Sequence, residues 1–128
     1  MPPGTVEHAV RQAVVEGQTF HTPARGSEFS VARLSPEHLV LLLGKKEAWT
    51  PISWKCLEGI PDFLRGRGWV VIGSVYDTYA DPDTLDGYLK GCVKRATAGW
   101  VAAVLEHAGV VQIDRGRPAR VQLTPAYR

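Results

Sequence analysis

The stretch from Thr97 to Thr124 constrains the fold more than any other part of the chain. Trp100, Val101, Val104, Leu105 and Ala108 recur at helical spacing, so a helix opening at Thr97 presents one apolar stripe and stops at Gly109. Two short strands are predicted to follow, Val110–Ile113 and Ala119–Leu123. The turn Asp114-Arg115-Gly116-Arg117-Pro118 divides them, which predicts a hairpin. Upstream, Thr84 is placed to cap a helix from Leu85 to about Cys92, with Leu85, Tyr88, Leu89 and Cys92 on one face. A short connection carrying Lys94 and Arg95 joins the two helices.

The N-terminal part reads as a mixture of elements. Residues 1–4 are expected to be disordered. Thr5 caps a helix to about Glu16 with Val6, Ala9, Val10, Ala13 and Val14 on one face, and Gly17 ends it. Phe20–Thr22 reads as a short strand. Phe29–Leu34 alternates, with Phe29, Val31 and Arg33 on one side, and Leu39–Leu43 is apolar throughout, so the two form a predicted hairpin. Thr50-Pro51 has the form of a helix start carrying Ile52, Cys56 and Leu57 inward. Arg65-Gly66-Arg67-Gly68 is an exposed turn, Trp69–Tyr76 a strand, and Asp77–Asp83 an acidic loop. The expectation is an α+β protein in which residues 5–128 form a single compact domain, a small antiparallel sheet with flanking helices.

Composition excludes several classes. Hydrophobic residues at 45% and charged residues at 22% match a globular chain, not a disordered one. The apolar run Leu39–Leu43 is far short of the roughly 20 residues a membrane helix needs, and no run in the chain approaches that length. Met1-Pro2-Pro3-Gly4 lacks the basic and apolar pattern of a secretory signal, so a cytoplasmic protein with no membrane partner is expected. Cys56 and Cys92 are accordingly read as small apolar side chains kept reduced, not as a structural disulfide.

The net charge of +2 is unevenly spread. Residues 90–128 hold seven Lys or Arg against two acids, a balance of +5, while residues 1–89 hold eight against eleven, a balance of −3. A basic C-terminal third points to a polyanionic partner. Helix, turn, helix and basic hairpin resemble a winged helix-turn-helix domain over residues 84–124, and LEHAGVVQIDRGRPARVQLT (105–124) resembles the recognition-helix end and wing of many bacterial regulators. The candidate cations are Lys94, Arg95, Arg115, Arg117 and Arg120. The outward face of the second helix, assigned to Ala98, Gly99, Ala102, Ala103 and Glu106, is poor in base-reading groups and suits close packing as well. A second cluster, Lys45, Lys46, Arg65 and Arg67, adjoins the aromatics Trp49, Trp54, Trp69 and Tyr76, a mixture that suits backbone contacts with stacking on a base. Trp54 and Trp69 are expected in the core and Trp49 at the surface.

FHTPARGSEFSV, LLLGKKEAWTPISW, LEGIPDFLRGRGWVVIGSVYDT and TLDGYLKGCVKRATAGWVAAVLEHAGVV, spanning about Phe20 to Leu123, resemble a small family of 5-methylcytosine DNA-binding proteins from high-GC Gram-positive bacteria. The resemblance implies a non-enzymatic reader of methylated double-stranded DNA, with no cofactor. It carries over no methyl-reading residue. A 5-methyl group is a small apolar bump in the major groove, read by apolar contact beside an arginine or by flipping the base into an aromatic pocket. Trp49, Tyr76 and Tyr79 with Arg65 or Arg67 would serve either mode.

Enzymatic readings find little support. Pro61-Asp62 and Pro82-Asp83 begin a nuclease pattern but no Glu-x-Lys or Asp-x-Lys follows on a strand. Asp77, Asp81, Asp83 and Asp86 lack the spacing, glycine and terminal Glu of a calcium loop. His8, His21, His38 and His107 are scattered singly, so no zinc pairing appears. Two non-enzymatic alternatives remain. One is a homodimeric winged-helix regulator of an unmodified operator. The other is a protein-interaction module contacting its partner through the Ala/Gly face of residues 98–103.

Overall fold

A computed structural model describes residues 5–23, 26–43, 48–73, 83–93, 97–116 and 118–128. The expectations placed on residues 1–4, Lys45, Lys46, Tyr76, Tyr79, Lys94, Arg95 and Arg117 lie outside these residues. The element order is α1 (Val6–Ala13), β1 (Thr19–His21), β2 (Glu28–Leu34), β3 (His38–Leu43), β4 (Ala48–Ser53), α2 (Trp54–Glu58), α3 (Ile60–Leu64), β5 (Val70–Val71), α4 (Leu85–Lys90), α5 (Ala98–His107), β6 (Val111–Asp114) and β7 (Arg120–Leu123). The protein is α+β. One antiparallel sheet runs β1-β2-β3-β4 and a second runs β5-β7-β6.

Local chemistry explains most of the boundaries. Thr5 caps α1 by accepting from the His8 N–H at 3.0 Å. The Glu58 carboxylate of α2 accepts from the Val6 and Glu7 N–H groups at 2.8 and 3.1 Å, so an acid from elsewhere also satisfies the positive end of α1. Thr84 caps α4 through the Gly87 N–H. The expected helix start at Thr50-Pro51 is a strand instead. Pro51 pairs with Val40 in β4, an edge strand, where a missing N–H is tolerated. The cap belongs to Ser53, which accepts from the Cys56 N–H. In β2 the ladder shifts between Val31 and Arg33, so Val31 is buried and Arg33 exposed, contrary to a simple alternation.

Apolar side chains of both sheets and all five helices form one core cluster. The centre is α5, which packs against α1, α4, β1 and β6. Ala98 and Val101 through Leu105 are all buried, so the assignment of Ala98, Ala102 and Ala103 to an outward face is corrected. The small side chains let α5 sit between neighbours on opposite sides, with Gly99 facing Thr22 and Pro23 after β1. His107, at the end of the helix, meets Phe20 edge-on and lies 3.1 Å from the Ala13 carbonyl.

Cys56 and Cys92 form a disulfide across 36 residues, joining α2 to the turn after α4. This corrects the reduced-thiol reading. The Tyr88 hydroxyl reinforces the same junction by donating to the Cys56 carbonyl at 2.7 Å.

Candidate nucleic-acid interface

The β5-β7-β6 sheet has one buried and one open face. Val70, Val121, Leu123 and Val111 point into the core. The alternate positions are Val71 opposite Arg120, Asp114 opposite Arg120, and Gln112 opposite Gln122. They look outward, as the two-residue period of a strand requires. Gln122 donates its amide N–H to the Gln112 carboxamide oxygen at 3.2 Å, holding the two side chains together on that face. Arg120 is exposed and makes no ion pair among the described residues.

Trp69 immediately precedes β5 and is 45% exposed, which corrects its expected place in the core. It is held there by the turn before it. Gly66 and Gly68 adopt φ of +78° and +69°, a left-handed backbone that glycine takes without strain. Trp69 follows this turn directly, two positions before the outward-facing Val71. Trp49 is 54% exposed on the other sheet, with the Arg33 guanidinium 5.9 Å from its ring centroid, and Trp54 is buried; both match the expectation.

The arginines of the turn have internal partners. Arg65 pairs with Asp62 and reaches the Tyr127 carbonyl at 3.5 Å. Arg67 lies over the Phe63 ring at 4.6 Å and 3.6 Å from the Asp83 carboxylate. About half of each arginine side chain stays exposed, 52% and 44%. Exposed pairs of this kind contribute about 0–1 kcal/mol, so exchange onto a phosphate costs little. Arg115 differs. Its two Nη groups donate to the two Glu106 oxygens at 2.7 and 2.6 Å, a fork that ties the β6–β7 turn to α5 and raises the arginine pKa further. The carboxylate hydrogen bond is the chief cause of that shift.

The sequence-predicted cations among the described residues therefore separate by their surroundings. Arg65 and Arg67 stand together at the turn with Trp69. Arg120 lies on the sheet that follows. Arg115 is engaged by Glu106, and Trp49 belongs to a different sheet. Sequence reasoning missed Gln112 and Gln122, although Val-Gln-Ile-Asp and Arg-Val-Gln-Leu place both glutamines at outward positions of their strands. Among the described residues no group of three or more His, Cys, Asp or Glu comes together as a metal site, and no helix is long and apolar enough to cross a membrane. The chain matches no protein-family model, no curated protein and no solved structure.

Proposed function

We propose that this protein binds double-stranded DNA without catalysis, through the open face of the β5-β7-β6 sheet and the Arg65–Trp69 turn, and that it favours DNA carrying 5-methylcytosine. One observation carries the reading. Trp69, an exposed ring, stands next to two arginines and beside a face bearing Gln112, Gln122 and Arg120. Guanidinium groups suit phosphates and guanine edges, carboxamides suit adenine edges, and an aromatic face suits a base or a methyl group.

The order α3, β5, α4, α5, β6, β7, with strands arranged β5-β7-β6, supports the winged-helix reading of this half. The usual docking mode of that fold inserts the second helix into the major groove. Here α1 and β1 cover α5, which favours contact from the sheet side. The same burial disfavours an operator-reading regulator using α5 and an outside partner on its Ala/Gly side. The methyl preference draws on the family resemblance and on the apolar ring beside the arginines.

The test compares two identical duplexes, one with 5-methylcytosine, each titrated at low and physiological salt with wild type and with Arg65→Ala/Arg67→Ala. Tighter binding of the methylated duplex that weakens in the variant supports the proposal. Equal affinity for the two duplexes removes the methyl preference, and unchanged affinity of the variant removes the turn from the interface.

A further inference from the structure

Beside the Trp69 turn lies a groove of about 400 Å³, a volume within the range of small-ligand sites. Leu64 and Leu123, both buried core residues with almost no surface of their own, lie at its bottom. Arg65 and Arg128 flank it, and Gln122 enters from β7. Gly66 and Gly68 form part of the wall, and nothing lies within 4 Å of where a side chain would begin at either residue. That side of the groove is bare backbone open to a ligand.

Several polar groups around this groove remain uncommitted. Arg128 donates through Nε to the Leu123 carbonyl at 3.1 Å, and its two Nη groups make no hydrogen bond among the described residues. Gln122 uses its N–H to reach Gln112, and its carboxamide oxygen accepts none among the described residues. Arg65 keeps Nε free of any described partner. Two cations, an open acceptor and bare glycine backbone form a composite surface, and the exposed Trp69 follows Gly68 in the chain. It fits a planar ring that carries hydrogen-bonding edges and an attached anion. A nucleotide has that chemistry: its base offers a π-face and an amino donor, and its phosphate takes a guanidinium fork.

We infer that this groove holds a single unstacked nucleotide of the bound DNA. The base lies against the bare backbone of Gly66 and Gly68 with its edge toward Gln122, and its phosphate lies between Arg65 and Arg128. The inference rests on the DNA-binding reading and adds a base drawn out of the helix.

Extrusion has a measurable signature, because a base that is already unpaired needs less energy to leave the stack. The experiment compares a fully paired duplex with one holding a single mismatched cytosine, using wild type and Gln122→Trp. That substitution fills the groove from an outward strand position and leaves Arg65, Arg67, Arg120 and Arg128 in place. Wild type is expected to prefer the mismatched duplex by about tenfold. Gln122→Trp is expected to bring the ratio of the two affinities to about one, whatever its affinity for the paired duplex, with an unchanged melting temperature. Equal wild-type affinity for the two duplexes, or a preference that survives Gln122→Trp, overturns the inference and leaves the DNA reading standing. Absence of binding to either duplex sinks the DNA reading. The groove is then tested alone by tryptophan fluorescence with deoxycytidine monophosphate. Saturable binding lost in Gln122→Trp supports a nucleotide site, and no binding overturns it.

Discussion

The Tyr88 hydroxyl reaches the Cys56 carbonyl by passing directly over Gly59, joining α4 to the α2–α3 turn. A side chain at Gly59 would run into that hydroxyl. Phe63 stacks against the same ring at 5.0 Å between centroids. Glycine is needed here for space and not for its backbone angle, since Gly59 is helical at φ −79°.

A double-mutant cycle tests this. Tyr88→Phe alone is expected to lose about 1 kcal/mol, the usual net value of one hydrogen bond. Gly59→Ala alone is expected to lose more, about 1–3 kcal/mol, through overpacking against the hydroxyl. Together the two should cost clearly less than their sum, because Tyr88→Phe removes the oxygen that the methyl group of Gly59→Ala would strike. Additive losses in urea unfolding would show that the collision does not govern the site.

The Cys56–Cys92 disulfide closes a long loop and should stabilise the fold by about 2–4 kcal/mol. Protein isolated without reductant is expected to show no reactive thiol until it is reduced. Cys56→Ser/Cys92→Ser should melt at a lower temperature and become insensitive to dithiothreitol. Free thiols in the untreated protein would contradict the pairing.

Stability should also fall at alkaline pH. Burial pushes the Tyr88 phenol above its ordinary value near 10, with the Asp62 charge as a second cause. Burial likewise raises Tyr127, seconded by Glu58. Both groups hold their protons more tightly in the folded state. Their contribution is intact below pH 10 and is lost as pH rises through the folded values. Chemical unfolding at about pH 8 and about pH 11, on either side of the ordinary phenol value, measures this. Tyr88→Phe should lessen the fall.

Much of this architecture is readable from short-range signals. The Thr84 cap, the helix closed by Gly109, the β6–β7 hairpin and the β2–β3 hairpin all lie within a few residues of the chemistry that specifies them. The misreadings depend on distant partners. Thr50-Pro51 carries the same local signal whether it opens a helix or edges a sheet, and only pairing with β3 decides. Cys56 and Cys92 meet because α2 and α4 pack together. The alanines of α5 look like a polar-side face until β1 and α1, from the other end of the chain, close over them. Residue type alone puts Trp69 in the core, whereas it stands nearly half exposed directly after a turn with two left-handed glycines. At the candidate interface the arginines are visible in the sequence as a cluster, but which of them Asp62, Asp83 or Glu106 would engage is not.

Arg115 and Arg120 provide the sharpest contrast among the basic residues of the hairpin. Both are exposed arginines near the same turn, and net charge alone would predict equal losses of DNA affinity on replacement. Their partners differ. Arg115 gives a two-pronged bond to Glu106, so Arg115→Ala removes a cation whose charge is already matched and frees a carboxylate. Arg120 has no ion pair among the described residues and stands on the open sheet face with Gln122. Arg120→Ala is therefore expected to weaken binding and to reduce the slope of log K against log salt by about 0.9, the value for one lost phosphate contact. Arg115→Ala should leave that slope unchanged and lower fold stability by about 0–1 kcal/mol, as loss of an exposed pair does. Titrations of both variants against one duplex at several salt concentrations decide the matter. An equal change of slope for the two would mean that the hairpin meets DNA as a diffuse charge. A larger change for Arg115 would mean that the Glu106 fork opens on binding and that the hairpin tip carries the contact.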